Sequence, residues 1–196
     1  PLAGVVFAIE EIARSFESRT NGTLITAIVV SGLVSVALAG NYLYFGQISA
    51  AIAPSASFVF PVVFAAVLTG AAGGIFNLLV LRQKRWIPQR LQGIRATQPL
   101  VWGAGLGLLI AVIGIASGGE TWGSGYDQAR ALLMDQKETV GYFYPLAKLG
   151  TMVLTYMAGT PAGLFSPSLS IGAGFGHAAS ALFPGASASA VVAVCM

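Results

Sequence analysis

The stretch "PAGLFSPSLSIGAG", residues 161–174, decides how the rest of the chain is read. A proline and two small residues lead into Leu164 and Phe165, Pro167 follows, and a small-residue run of helical character continues to about Leu182. This pattern predicts a helix that begins abruptly, with bare backbone N–H groups at its mouth. What such a helix start is for depends on its surroundings.

Those surroundings are apolar. Of the 196 residues 56% are hydrophobic and only 9% charged, and mean hydropathy is +0.79. Soluble domains carry about 25% charged residues, so the composition points to a polytopic α-helical membrane protein. Four segments are long and apolar enough to cross hydrocarbon, which takes about 20 helical residues. They lie at about 23–40, 59–81, 98–116 and 141–158. Two further segments are helical but irregular. Residues 1–12 (PLAGVVFAIEEI) are too short to span, and residues 163–183 are broken at their start by glycine and proline. Broken or re-entrant backbone at membrane depth is tolerated only where it is buried in protein or lines a cavity. The whole of 1–196 reads as part of one transmembrane domain. Both ends, Pro1 and the apolar run into Met196, are expected to be cuts in a longer polypeptide. The single Cys195 excludes an intrachain disulfide framework.

The loops alternate in charge. Arg14 and Arg19 lie in 13–22, and Arg82, Lys84, Arg85, Arg90 and Arg95 in 82–97, whereas 41–58 carries no charge and 117–140 is mixed. The positive-inside rule puts the two basic loops in the cytoplasm, on one side of a four-span zigzag. The run 82–95 directly follows a span, so it reads as a lipid-headgroup and topology signal rather than a nucleic-acid site. Gly70, Gly73 and Gly74, and Gly103 and Gly107, stand at small-xxx-small spacing and read as close helix packing.

Candidate chemistry is sparse. Glu10 and Glu11 close the first short helix at the cytoplasmic edge. They read either as an exposed acidic end pairing with Arg14 or as working carboxylates that carry protons. Acids at a helix C-terminus are disfavoured by about 0.3–1 kcal/mol, which speaks for a task. Lys148, within 141–158, is expected to snorkel or to line an aqueous vestibule. His177 reads as a packed or interfacial group, and "GAGFGH" follows no strand, so it is not a dinucleotide fingerprint. Asn21, Gly22 and Thr23 match a glycosylation sequon, but the topology places them inside, where they read as a helix cap.

The helix start at 163–167 reads physically as an anion site. A helix N-terminus exposes N–H donors and about half a positive charge, with no cationic side chain required. Glycine at 163 lets an ion approach the backbone. A lysine there would hold the ion too tightly for turnover. One helix end is worth about 0.3–2 kcal/mol, against an idealised cost on the order of 20 kcal/mol for moving an ion into low dielectric. Other groups must therefore converge on the same ion.

On these residues the chain resembles the CLC family of chloride channels and chloride/proton antiporters, in its bacterial form. "GLFSP" at 163–167 resembles that family's G-x-F-x-P motif, and "PLAGVVFAIEE" at 1–11 looks like the segment ending in its internal proton-transferring glutamate. The order between them is similar too: two spans, a basic loop, two spans around "GSGY", then the broken helix. The resemblance implies that Gly163, Leu164, Phe165, Ser166 and Pro167 form an anion-binding stretch, with the amides of Leu164 and Phe165 facing chloride. It implies that Glu11 accepts protons from inside, with Glu10 its neighbour. It also implies chloride and protons as the transported ions, a homodimer in a bacterial inner membrane crossed several times, and no cofactor or metal. The family's serine motif and gating glutamate would lie before Pro1, and its pathway tyrosine after Met196.

Four functions remain open on the residues alone. An acid at position 11 tilts the reading toward antiport, and a passive chloride channel is the alternative. An intramembrane enzyme is disfavoured, because adjacent carboxylates on a helix point about 100° apart and cannot flank one bond. A purely structural membrane protein would leave the broken helix unexplained.

Overall fold

The computed structural model describes residues 18–40, 45, 56–134, 140–160, 162–183 and 187–196. These residues form helices and turns, with no strand among them. The chain divides into two compact units, Pro1–Tyr44 and Phe45–Met196.

The described part of the first unit is one helix, α1 (Ser18–Ala39). Ile25–Leu38 within it is an apolar stretch. Gly40, at φ +73°, turns the chain out of the helix. Asn21, Gly22 and Thr23 lie inside the first turns of α1 and are not its cap. The carbonyl of Gly22 instead accepts a hydrogen bond from Thr26 Oγ1 at 2.9 Å. Residues 1–12, with Glu10 and Glu11, lie outside the described residues.

In the second unit the helices are α2 (Ala56–Leu81), α3 (Gln83–Trp86), α4 (Gln89–Thr97), α5 (Pro99–Ala116), α6 (Tyr126–Leu133), α7 (Tyr144–Ala158), α8 (Phe165–Leu182) and α9 (Ala188–Cys195). Two stretches, Val59–Leu81 in α2 and Pro99–Ala116 in α5, are long and apolar enough to cross a membrane. Both carry large apolar side chains on the outside. On α2, Ala65 and Ala72 face the interior while Val63, Val67 and Ile75 are exposed. On α5, Trp102 and Leu106 point inward, and Leu100 is 87% exposed. Branched apolar side chains on the outside, and on α2 small residues inside, suit helices solvated by lipid; in water such exposed apolar area is a liability.

The sequence predicts four spans; among the described residues α2 and α5 meet the length and apolarity of a crossing. Helix α7 has 15 residues, about 22 Å at 1.5 Å per residue, too short for a crossing. It is also largely buried by its neighbours. The basic segment 82–97 folds into α3 and α4, tied by a 2.9 Å hydrogen bond from Arg95 Nη1 to Gln83 Oε1. Trp86 stands 70% exposed among these arginines, a combination suited to the headgroup layer.

Helix α8 is the centre of this unit, buried almost without break from Ser170 to Ser180. It lies against α2, α6, α7 and α9. The "GAGFG" run makes this possible. Residues two apart on a helix point to nearly opposite sides, and residues four apart to the same side. A Cβ on Gly172 would run into the Cys195 carbonyl of α9, and one on Gly176 would come within 2.7 Å of Val192 Cα. On the other side, a Cβ on Gly174 would sit 2.9 Å from Pro145 Cβ of α7. Close packing therefore belongs to Gly172, Gly174 and Gly176. At Gly70, Gly73, Gly74, Gly103 and Gly107, assigned that role by spacing, nothing among the described residues lies within 4 Å of an added Cβ.

Candidate anion-binding site

The segment between α7 and α8 is set by local turns. Gly159, at φ +77°, closes α7 and donates its N–H to the Tyr156 carbonyl at 3.1 Å. The Tyr156 hydroxyl donates to the Ala162 carbonyl at 3.1 Å. Helix α8 then starts at Phe165, two residues later than the expected bound, with Leu164 as its cap residue. Among the described residues no side chain caps this end. The first backbone bond of α8 runs from the Ser168 N–H to the Leu164 carbonyl at 3.0 Å. Pro167 falls in the first turn, where its missing N–H costs the helix nothing. Gly163, Leu164 and Phe165 are exposed, and Ser166 and Pro167 half-buried.

The five residues named from sequence are thus brought together at one helix mouth whose dipole presents its positive end. Beside it lies a mainly apolar cavity of about 400 Å³, lined by the cap residue Leu164, Ser168 and Ile171 of α8, Ala72 and Phe76 of α2, and Met152 of α7. Glu10 and Glu11, the other half of the expected machinery, lie outside the described residues.

A turn-rich loop, residues 117–125, meets this helix mouth. Ser166 Oγ donates to the Ser124 carbonyl at 3.4 Å. Gly125, at φ +78°, caps α6 and fits so closely against α8 that an added Cβ would strike the Ser170 side chain. Ser170 Oγ in turn shares a 2.7 Å hydrogen bond with the Tyr144 hydroxyl of α7. Glu120 Oε1 accepts from the Gly141 N–H at 3.0 Å, which ties the loop to the entry of α7.

The residue that sequence reasoning misjudged is Lys148. It neither snorkels nor lines a vestibule. It is 3% exposed, and its Nζ donates to the carbonyls of Thr121 at 2.8 Å and Gly123 at 2.7 Å. A buried ammonium needs such partners, because an uncompensated one costs several kcal/mol or more. The signal for this in sequence was a basic residue four positions into an apolar helix, downstream of a glycine-rich loop with carbonyls to offer. His177 is packed, as expected: it is buried and stacks on Tyr142 with ring centres 4.8 Å apart.

Comparison with known proteins gives this geometry a context. The chain is 28% identical over 194 residues to the H(+)/Cl(-) exchange transporter ClcA of Salmonella agona (strain SL483), and likewise to that of Salmonella gallinarum (strain 287/91 / NCTC 13346). It is 27% identical to the ClcA of Salmonella newport (strain SL254). Each alignment covers 94% of this chain and 40% of the relative, so the chain spans about two fifths of the length of these proteins. No solved structure matches it. The sequence model of the voltage gated chloride channels matches residues 1–196 from end to end, and the chain belongs to that family.

Proposed function

We propose that this chain is part of a multi-pass membrane transporter that exchanges chloride for protons, and that it is not an enzyme. The observation that carries the reading is the uncapped start of α8, where Gly163, Leu164, Phe165, Ser166 and Pro167 form a helix mouth in a chain of this family. In this reading chloride sits on the backbone donors of that turn, held by partial charges and not by a side-chain cation. Binding is then weak enough for the ion to leave again. The segment's neutral lining keeps protons from competing for the same place. Protons travel separately, taken up by Glu11 with Glu10 beside it. Support for antiport over passive conduction comes from the acid at position 11 and from the relatives, whose names describe exchange. The proposal extends to a homodimer in a bacterial inner membrane.

The test is the variant Glu11→Gln in the full-length protein, reconstituted in liposomes with a pH electrode and a chloride electrode read together. Chloride should still move, while chloride-driven proton uptake is lost. Wild-type proton stoichiometry in the variant would remove Glu11 from the pathway. Chloride flux without protons in the wild type would replace the exchanger by a channel.

A further inference from the structure

We infer that Lys148 is a positioning residue for the anion site: it holds the 121–125 loop by its carbonyls and so keeps the mouth of α8 open. This rests on the reading of that mouth as an anion site.

A helix start without a side-chain cap attracts acceptors. Its N–H donors are satisfied by any acceptor within reach, and a neighbouring loop carbonyl serves as well as an ion. Such a loop is 117–125, since Ser124 touches Ser166 in the first turn of α8. Its carbonyls would compete with chloride if they were free to turn. They are not free. Lys148 takes those of Thr121 and Gly123, Ser166 Oγ takes that of Ser124, and Gly125 is wedged on Ser170 and the Tyr144 hydroxyl. Among the described residues Lys148 forms no ion pair with a carboxylate, so its charge is spent on these carbonyls. Gly123 sits at φ +64°, a conformation that aims its carbonyl as found and that other residues adopt with strain.

Removing the ammonium should release two buried carbonyls. The loop can then cap α8 itself, and chloride must displace it. The lysine touches no ion in this arrangement. It acts through the loop.

The experiment is calorimetric titration of the full-length protein with chloride, alongside its thermal midpoint, for wild type, Lys148→Met, Lys148→Arg, Gly123→Ala and Gly163→Val. Lys148→Met should weaken chloride binding about tenfold, the loss of one buried charge-assisted contact. Lys148→Arg, which can still donate to both carbonyls, should bind within about threefold of wild type. Gly123→Ala keeps the charge, meets no neighbour within 4 Å, and strains only the loop. It should weaken binding about threefold, which a purely electrostatic lysine would not explain. If Lys148→Met fails to fold, Gly123→Ala and Lys148→Arg decide the matter. Wild-type affinity in Lys148→Met and Gly123→Ala, with weakened binding in Gly163→Val, would overturn the role of Lys148 and leave the anion site standing. A lowered midpoint with unchanged affinity would make Lys148 a structural anchor only, which also overturns it. Unchanged affinity in Gly163→Val would bring down the anion site itself.

Discussion

Gly163→Val separates binding from folding at the helix mouth. Gly163 is exposed, directly precedes the cap residue Leu164, and has nothing within 4 Å of an added Cβ among the described residues. Its backbone lies outside the left-handed region that favours glycine, so valine can take its place without backbone strain. Surface substitutions of this kind change stability by no more than about 0.5 kcal/mol. The branched side chain would stand where an ion approaches the backbone of 164 and 165. Losing one hydrogen bond to a charged partner costs about 1.5–3 kcal/mol. At 1.4 kcal/mol per decade, chloride affinity should fall about tenfold to a hundredfold. The assay is calorimetric titration in detergent with chloride and with bromide, beside thermal unfolding of the same preparation. Wild-type affinity at an unchanged melting temperature would refute the assignment of this helix start. A lowered melting temperature with wild-type affinity would make Gly163 a packing residue.

Two other predictions bear on the fold. Gly176→Ala drives a Cβ to within 2.7 Å of Val192 Cα, a backbone neighbour, so overpacking of about 1–3 kcal/mol should outweigh the gain in helix propensity. Gly107→Ala, with open space around it, should be neutral or stabilising by up to about 1 kcal/mol; thermal unfolding of the two variants side by side checks the contrast. A cysteine at Gln89, in the basic segment between the two apolar helices, should resist an impermeant thiol reagent on right-side-out vesicles, while one at Gln136 reacts. The opposite pattern would invert the orientation; the native Cys195 is buried and should contribute little background.

The arrangement also indicates how an apolar chain carries a polar task. Where α7, α8 and the 117–125 loop meet, Lys148, Tyr144, Ser170 and Ser166 are linked through backbone carbonyls or to each other. A satisfied network of this kind is rigid, and a half-satisfied one is costly. Rigidity is what a helix mouth needs if it is to hold an ion by dipoles alone, since such donors act only when they are kept pointing at the ion.

Sequence by itself determined the class of the protein and the place of the helix mouth. Low charge and long apolar runs dictate helices that satisfy their own backbone, because no other structure is cheap in hydrocarbon. The run of glycine and proline before a small-residue stretch located the start of α8 to within two residues, because a first turn is where Pro167 costs a helix least. Length and hydropathy identified the two apolar helices α2 and α5, but could not reveal that α7 begins only at Tyr144 and is packed against its neighbours. That depends on what packs against it. Glycine spacing did not mark Gly172, Gly174 and Gly176: a small residue every fourth place permits close approach, and only a neighbouring helix decides which glycines are approached. The role of Lys148 was the least legible. Its partners are two carbonyls, 25 and 27 residues upstream, and a backbone carbonyl leaves no mark in the sequence. Only the tertiary fold, by bringing a turn of glycines against the start of α7, turns a lysine in an apolar helix into a loop anchor.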